Sequence, residues 1–287
     1  GKGTWNESYQ FYRRNEKQAF RLLRYRSKST WTRKLSDTGI TGSGLSLVVY
    51  DAGKYLLAIR VRSCGGEMNK IKLMNADYTN VNQQELLQLV FEDIECHRGS
   101  SLIFLNVDVV MKIEKDEYLR KIVNTAEYVV ADGMPLVWIS RWFHRPLKEK
   151  ISGSDFVPVL CEYAAKRSKT VFFAGGSQEA LIKARVNLER RYPGILIAGS
   201  YSPPMGFENS KQEIDRMNKA IKQAKPDILI VCLGCPKQER YIYENKNVFD
   251  AGISVCAGAT VDFISGRVSR CPAWMGNHGL EWIYRFL

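Results

Sequence analysis

The sequence predicts a doubly wound α/β domain: a Rossmann-like, mainly parallel sheet with helices on both faces. Three observations predict it. From about Met68 onward, short apolar runs rich in Val, Ile and Phe alternate with segments of helical spacing. The apolar runs are nearly continuous rather than alternating in polarity, as in strands buried on both faces. Alternation of strand and helix implies parallel pairing through right-handed crossovers.

In chain order, MNKIKLMNADYTNV, which begins at Met68, reads as a first strand. LIFLNVDVV (102–110) and YVVADG (128–133) read as strands with the helical segment DEYLRKIVNTA between them. SDFVPVLCEYAAKRS has helical spacing and leads to the strand TVFFAGG (170–176). The helix SQEALIKARVNLERRY, the strand ILIAGSY (195–201) and the helix KQEIDRMNKAIKQA follow. DILIVCLG (227–234) and ISVCAGA (253–259) complete the strands. No internal repeat or low-complexity linker interrupts the series.

The 287 residues carry 42 Lys plus Arg against 30 Asp plus Glu, a formal charge of +12. The excess is uneven. Residues 1–67 hold 13 basic and 5 acidic side chains and so account for +8, leaving +4 for the rest. The chain therefore divides into a basic extension, 1–67, and a nearly balanced body, 68–287. FYRRNEKQAFRLLRYRSKSTWTRK mixes aromatics with arginines and suits an anionic membrane surface. A plainly solvated tail fits it as well. On a third reading, Gly65-Gly66-Glu67-Met68 can be encoded by a ribosome-binding site ahead of a start codon, so residues 1–67 are an upstream extension or another frame's tail.

Several classes are disfavoured. The longest apolar stretch, LSLVVYDAGKYLLAIRV, is broken by Asp51 and Lys54, whereas a membrane span needs ~20 largely uncharged residues. No signal-peptide pattern follows the start. Seven scattered cysteines form no disulfide framework and suggest reduced thiols in the cytosol. Cys232 and Cys235 form a CxxC, but Cys232 lies inside an apolar strand and reads as core packing. The three histidines lack metal-ligand spacing, no DxD pair is present, and neither a Walker loop nor a GxGxxG follows a strand. The basic tail comes with no nucleic-acid-binding module, so no nucleic-acid partner is expected.

In open parallel sheets, ligands bind beyond the carboxyl ends of the strands, at helix N-termini. Asn106 and the Asp132-Gly133 pair occupy two such ends. Asp132 is the carboxylate best placed for a general base, since partial burial would raise its pKa; the bland alternative is a turn-forming Asp-Gly. Gly175, Gly176 and Ser177 can offer backbone N–H groups to a diphosphate. The same physics recurs at Gly234-Cys235-Pro236-Lys237-Gln238-Glu239 and at Gly258-Ala259-Thr260, with Asp262 close behind. Three glycine turns on one sheet edge favour a nucleotide or diphosphate. Lys237 adds charge there or is simply solvated, and Asp155 and Asp262 can equally cap helices.

Taken together, LNVDVV, ADGMPLV, ISGSDF, VFFAGGS, YPGILIAGSYSPPMGF, PDILIVCLGCPKQE, GATVDFISG and the closing CPAWMGNHGLEWIYRFL resemble the WecG/TagA/CpsF family of bacterial glycosyltransferases over roughly residues 68–287. The resemblance implies an inverting, metal-independent hexosyltransferase with no cofactor beyond its UDP-sugar donor. The implied hexose is an N-acetylhexosamine, a hexuronic acid or a similar sugar. The implied acceptor is a sugar on undecaprenyl diphosphate, in teichoic acid, capsule or exopolysaccharide synthesis. It also implies a cytoplasmic enzyme, peripheral at the inner face of the cell membrane, with homo-oligomerisation left open. The family's base falls on Asp132, its T-x-N asparagine on Asn106 and its P-[RK]-Q-E glutamine on Gln238. Lys237 and the turns at Gly175–Ser177 and Gly258 would then hold the departing diphosphate, while Asn106 and Gln238 orient sugar hydroxyls.

Two departures stand out. The threonine of T-x-N is Phe104 here, and the arginine often found ahead of the G-x-D motif is Lys150, which keeps the charge but not the bidentate fork. Family members usually continue past GLEWIYRF with a basic C-terminal appendage, where this chain has Leu287. These departures support an alternative: a catalytically impaired nucleotide-binding or assembly subunit of the same pathway. The sugar, the linkage and the oligomeric state are not legible in the sequence.

Overall fold

The structure, a computed structural model, describes residues 45–51, 56–62 and 69–268, the first two stretches as backbone alone. Most of the basic extension and the closing motif from Cys271 lie outside the described residues. Within the extension, β1 (Leu45–Asp51) pairs antiparallel with β2 (Leu56–Arg62), so the apolar run forms two strands.

The segment expected to be one first strand is a hairpin. β3 (Lys70–Leu73) pairs antiparallel with β4 (Ala76–Thr79), and Met74 and Asn75 turn the chain with φ of 49° and 59°. Helix α1 (Gln83–Glu95) follows, opened by a capping box in which Asn82 and Glu85 each bond the other's backbone N–H. Next come β5 (Ser100–Leu105), α2 (Val107–Lys115), α3 (Glu117–Thr125), β6 (Tyr128–Ala131) and α4 (Met134–Trp142). The apolar run read as a strand to residue 110 thus changes at Asn106, whose side chain accepts from the Val109 N–H and starts a helix.

The second half contains α5 (Gly153–Lys166), β7 (Thr170–Gly175), α6 (Gln178–Arg191) and β8 (Leu196–Tyr201). A short 3₁₀ turn (Phe207–Asn209) leads to α7 (Lys211–Ala224) and β9 (Ile228–Cys232). Helix α8 (Lys237–Asn245), β10 (Ile253–Cys256) and α9 (Thr260–Ile264) end the described series.

Six strands form one all-parallel sheet in the order β6-β5-β10-β9-β7-β8. Successive residues of β5, β9 and β10 alternate between two buried clusters, one on each face. Leu102, Ile230 and Val255 pack with α1, α5 and α6, whereas Ile103, Val231 and Cys256 pack with α2, α3, α7, α8 and the β3–β4 hairpin. This is the doubly wound architecture that the apolar runs predict. Each fully buried Leu, Ile or Val stabilises it by about 1.5–3 kcal/mol.

Polar pins fix the amino ends of the strands. The Asp227 carboxylate accepts from both the N–H and the hydroxyl of Thr170, at 2.8 Å each, and ties β9 to β7. Buried Asp93 accepts from Ser100 and Tyr128 and pairs with Arg98 at 2.8 Å. With that end tied and closed, the carboxyl end is the side left for a site.

Candidate active site

Beyond the carboxyl ends of β6, β5, β10 and β9 lies an open cavity of about 780 Å³, large enough for a nucleotide-sized ligand. Its walls are the starts of the helices that follow those strands. Asn106 opens α2 and lends its carboxamide oxygen to the helix cap, so its NH₂ is the group left to meet a ligand. Asp132 follows β6 and donates its N–H to the Leu105 carbonyl at 2.7 Å, which fixes it beside the end of β5. The Ile151 N–H donates to the Ala131 carbonyl at 2.9 Å, and this contact lays the segment before α5 along the end of β6. Lys150 thereby enters the same cavity as Asp132, with Asp155 3.8 Å from its ammonium.

The opposite wall is built around Gln238. It is buried, its carbonyl oxygen accepts from the Gly258 N–H at 3.0 Å, and its NH₂ donates to Glu239 at 2.8 Å. One side chain thus locks the turn after β10 to the start of α8. Gly258 makes that turn at φ 55°, and a Cβ there would meet nothing within 4 Å, so the position opens into space. Burial raises the Glu239 carboxyl above the ordinary range, and the bond from Gln238 partly offsets this. Burial also pushes the Cys232 and Cys235 thiols up to about 12, which leaves both protonated and unreactive.

The cavity therefore brings together Asn106, Asp132, Lys150, Gln238, Gly258 and Ala259 from among the residues singled out in the sequence. The others lie elsewhere. Gly175, Gly176 and Ser177 end β7, outside the lining, and packing accounts for both glycines. A Cβ on Gly175 would collide with the Cys232 carbonyl, and one on Gly176 with Val261. Ser177 caps α6 through the Ala180 N–H and accepts from Arg267. Lys237 is paired with Glu208 at 2.5 Å, Glu239 is buried beneath the wall, and Asp262 lies 4.0 Å from Arg267. Gly234 and Pro236 shape the turn into α8 without lining the cavity.

One cavity residue escaped the sequence reading, and one departure noted there acquires a role. Lys112 reaches the cavity from α2, held by Asp108 at 2.7 Å, a contact that keeps its ammonium pKa above the usual value. Its only signal is an i,i+4 Asp–Lys pair, indistinguishable from a solvated surface pair. Phe104, in the place of the expected threonine, forms an apolar floor against Gly153 and Phe156. Any polar contact made there must come from a neighbour such as Ser154 or Thr260. Among the described residues, no group of three or more His, Cys, Asp or Glu side chains is placed to hold a metal ion.

Fold and cavity define a class: a doubly wound α/β protein with two carboxylates, two lysines and glycine turns gathered at its strand ends. Comparison with known proteins narrows this. The model of the glycosyl transferase WecG/TagA/CpsF family matches residues 71–287, and the chain belongs to that family. It is similar to an N-acetylglucosaminyldiphosphoundecaprenol N-acetyl-beta-D-mannosaminyltransferase of Bacillus subtilis strain 168, at 28% identity over 74% of this chain and 81% of that protein. A Staphylococcus aureus (strain NCTC 8325) protein of the same name is 26% identical over 76% of this chain and 84% of its own length. Another, from Bacillus spizizenii, is 28% identical over 68% and 73% respectively.

Proposed function

We propose that this protein transfers a hexose, in first place an N-acetylhexosamine, from a UDP-sugar to a sugar carried on undecaprenyl diphosphate, with inversion and without a metal cofactor. The observation that carries the reading is the meeting of Asp132, Lys150, Asn106, Gln238 and the Gly258 turn in one cavity. The family assignment and the relatives' names, which specify N-acetylmannosaminyl transfer to N-acetylglucosaminyldiphosphoundecaprenol, give it a substrate class.

In this reaction Asp132 takes the proton of the acceptor hydroxyl as its oxygen attacks the anomeric carbon from the face opposite the nucleotide. The bond from that carbon to the diphosphate oxygen breaks, and UDP departs carrying the electron pair. A single displacement of this kind needs one base and stabilisation of the leaving charge. Lys150 and Lys112 supply the latter, beside the turn after β10, whose Gly258 and Thr260 N–H groups are already held by Gln238 and Ala257. Asn106 and Gln238 hold sugar hydroxyls, and the Phe104 floor gives the ring an apolar surface.

The decisive experiment incubates the full chain, with a chelator present, with a panel of UDP-N-acetylhexosamines and a synthetic lipid-diphosphate acceptor. Formation of one disaccharide product with release of UDP is expected. No turnover across the panel, from folded protein that also fails to bind UDP by calorimetry, would sink the proposal. UDP binding without turnover would favour the nucleotide-binding subunit.

A further inference from the structure

Helix α4 begins at the cavity and ends in an exposed aromatic cluster. Met134 and Pro135, its first residues, line the cavity. One and two turns further on, on the stripe that starts at Met134, come Trp138, 48% exposed, and Trp142, 84% exposed. Phe143, directly after the helix, is 65% exposed. Both tryptophans among the described residues thus stand in solvent on one short segment, within about 12 Å of the cavity along the helix. Helix α2, which also begins at the cavity, repeats the arrangement, with Val107 lining the cavity and Met111 one turn on, 44% and 51% exposed.

Such side chains cost solvation free energy unless something covers them. The charge beside them indicates what. Arg141 and Arg145 are exposed on the same segment; Lys148, further on, is held by Glu85 at 2.9 Å, and the one acid of the segment is Glu149. A second copy docked face to face would set this positive segment against itself. An anionic lipid surface meets both demands: tryptophan rings settle at the headgroup level of a bilayer, and arginine and lysine pair with its phosphates.

We propose that the outer face of α4 with the following turn, centred on Trp138, Trp142 and Phe143 and flanked by Val107 and Met111, is the surface by which the protein sits on an anionic membrane. Docked in this way, the cavity mouth faces the bilayer. A polyprenyl-diphosphate acceptor then reaches Asp132 without its chain leaving the lipid. The orientation rests on the transferase reading, since it takes the acceptor to be membrane-borne. The lipid contact itself does not.

The test uses the full chain and vesicles of phosphatidylcholine with or without phosphatidylglycerol. Wild type is expected to co-float with the anionic vesicles, and amide exchange in residues 134–146 is expected to slow when they are present. The double variant Trp142→Ala, Phe143→Ser should partition at least roughly tenfold more weakly, since two aromatic side chains no longer enter the interface. Failure to co-float, or binding that leaves exchange in 134–146 unchanged, overturns the proposal. So does protection of that segment that rises with protein concentration in the absence of lipid, which would identify a second copy as the occupant. An acceptor on a short water-soluble chain keeps the two readings apart. The double variant should retain wild-type turnover on it and lose turnover on the vesicle-borne acceptor, whereas a wild type inactive on both defeats the transferase reading and leaves the lipid contact standing.

Discussion

The carboxyl edge of the sheet has two regions that look alike in sequence and differ in structure. At β7, TVFFAGGS ends in two glycines and a serine; at β10, ISVCAGAT ends in a glycine between two alanines. Both precede helices, and both suggest a backbone cradle for phosphate. Yet Gly175 and Gly176 are small because the Cys232 carbonyl and the Val261 side chain fill the space where a Cβ would go, while Gly258 has nothing near it. Of these two turns, the one at β7 is glycine because packing leaves no room for a side chain, and the one at β10 opens into the cavity.

The largest effect expected lies on the open side. Asp132→Asn should lower turnover roughly 10²–10⁴-fold, the usual contribution of a general base, with little change in melting temperature. Full activity in this variant would remove Asp132 from the chemistry. Lys150→Met should cost on the order of 10² in turnover, as for loss of one group that stabilises developing charge. A change confined to UDP affinity would instead make Lys150 a binding group that acts equally in ground and transition states.

The glycines themselves make the comparison sharpest. Gly175→Ala should destabilise the fold by about 2–4 kcal/mol, because a methyl meets main chain at a positive φ, while activity per folded molecule is kept. Gly258→Ala should cost only about 1 kcal/mol in stability but should impair UDP binding. Thermal melts and calorimetry on the pair would read both; loss of UDP binding in folded Gly175→Ala would return the β7 turn to the site.

A smaller effect concerns Glu239. Because burial raises its pKa in the folded chain above the unfolded value, stability falls as pH rises from the unfolded pKa through the folded one. Glu239→Gln should therefore match wild type below about pH 4 and melt higher in the neutral range. Parallel stability curves across that range would mean the carboxyl titrates normally.

Much of this was legible before the structure. Strands buried on both faces carry continuous apolar runs, which is why β5, β6, β7, β9 and β10 could be read from residue type alone. Asn106, Asp132 and Gln238 were legible because strand ends in a parallel sheet share one edge. What was missed has identifiable causes. The β3–β4 hairpin turns at Met74-Asn75, with none of the Asn-Gly or Asp-Gly chemistry that marks such turns. Helix α4 carries Trp138 and Trp142 outward as well as Leu136 and Val137 inward, which blurs the apolar periodicity of a half-buried helix. Lys112 joins the cavity only because α2 starts at Asn106, one residue after β5 ends.

The strand order has a consequence for the cavity. β10 is the last strand of the sheet in sequence, yet it lies between β5 and β9. Without Ile253–Cys256, no ladder among the described strands would join the β6–β5 pair to the group in which β7 pairs with both β9 and β8. Asp132 and Asn106 belong to one group and Gln238 to the other. The cavity is therefore complete only once β10 has joined the two groups into one sheet.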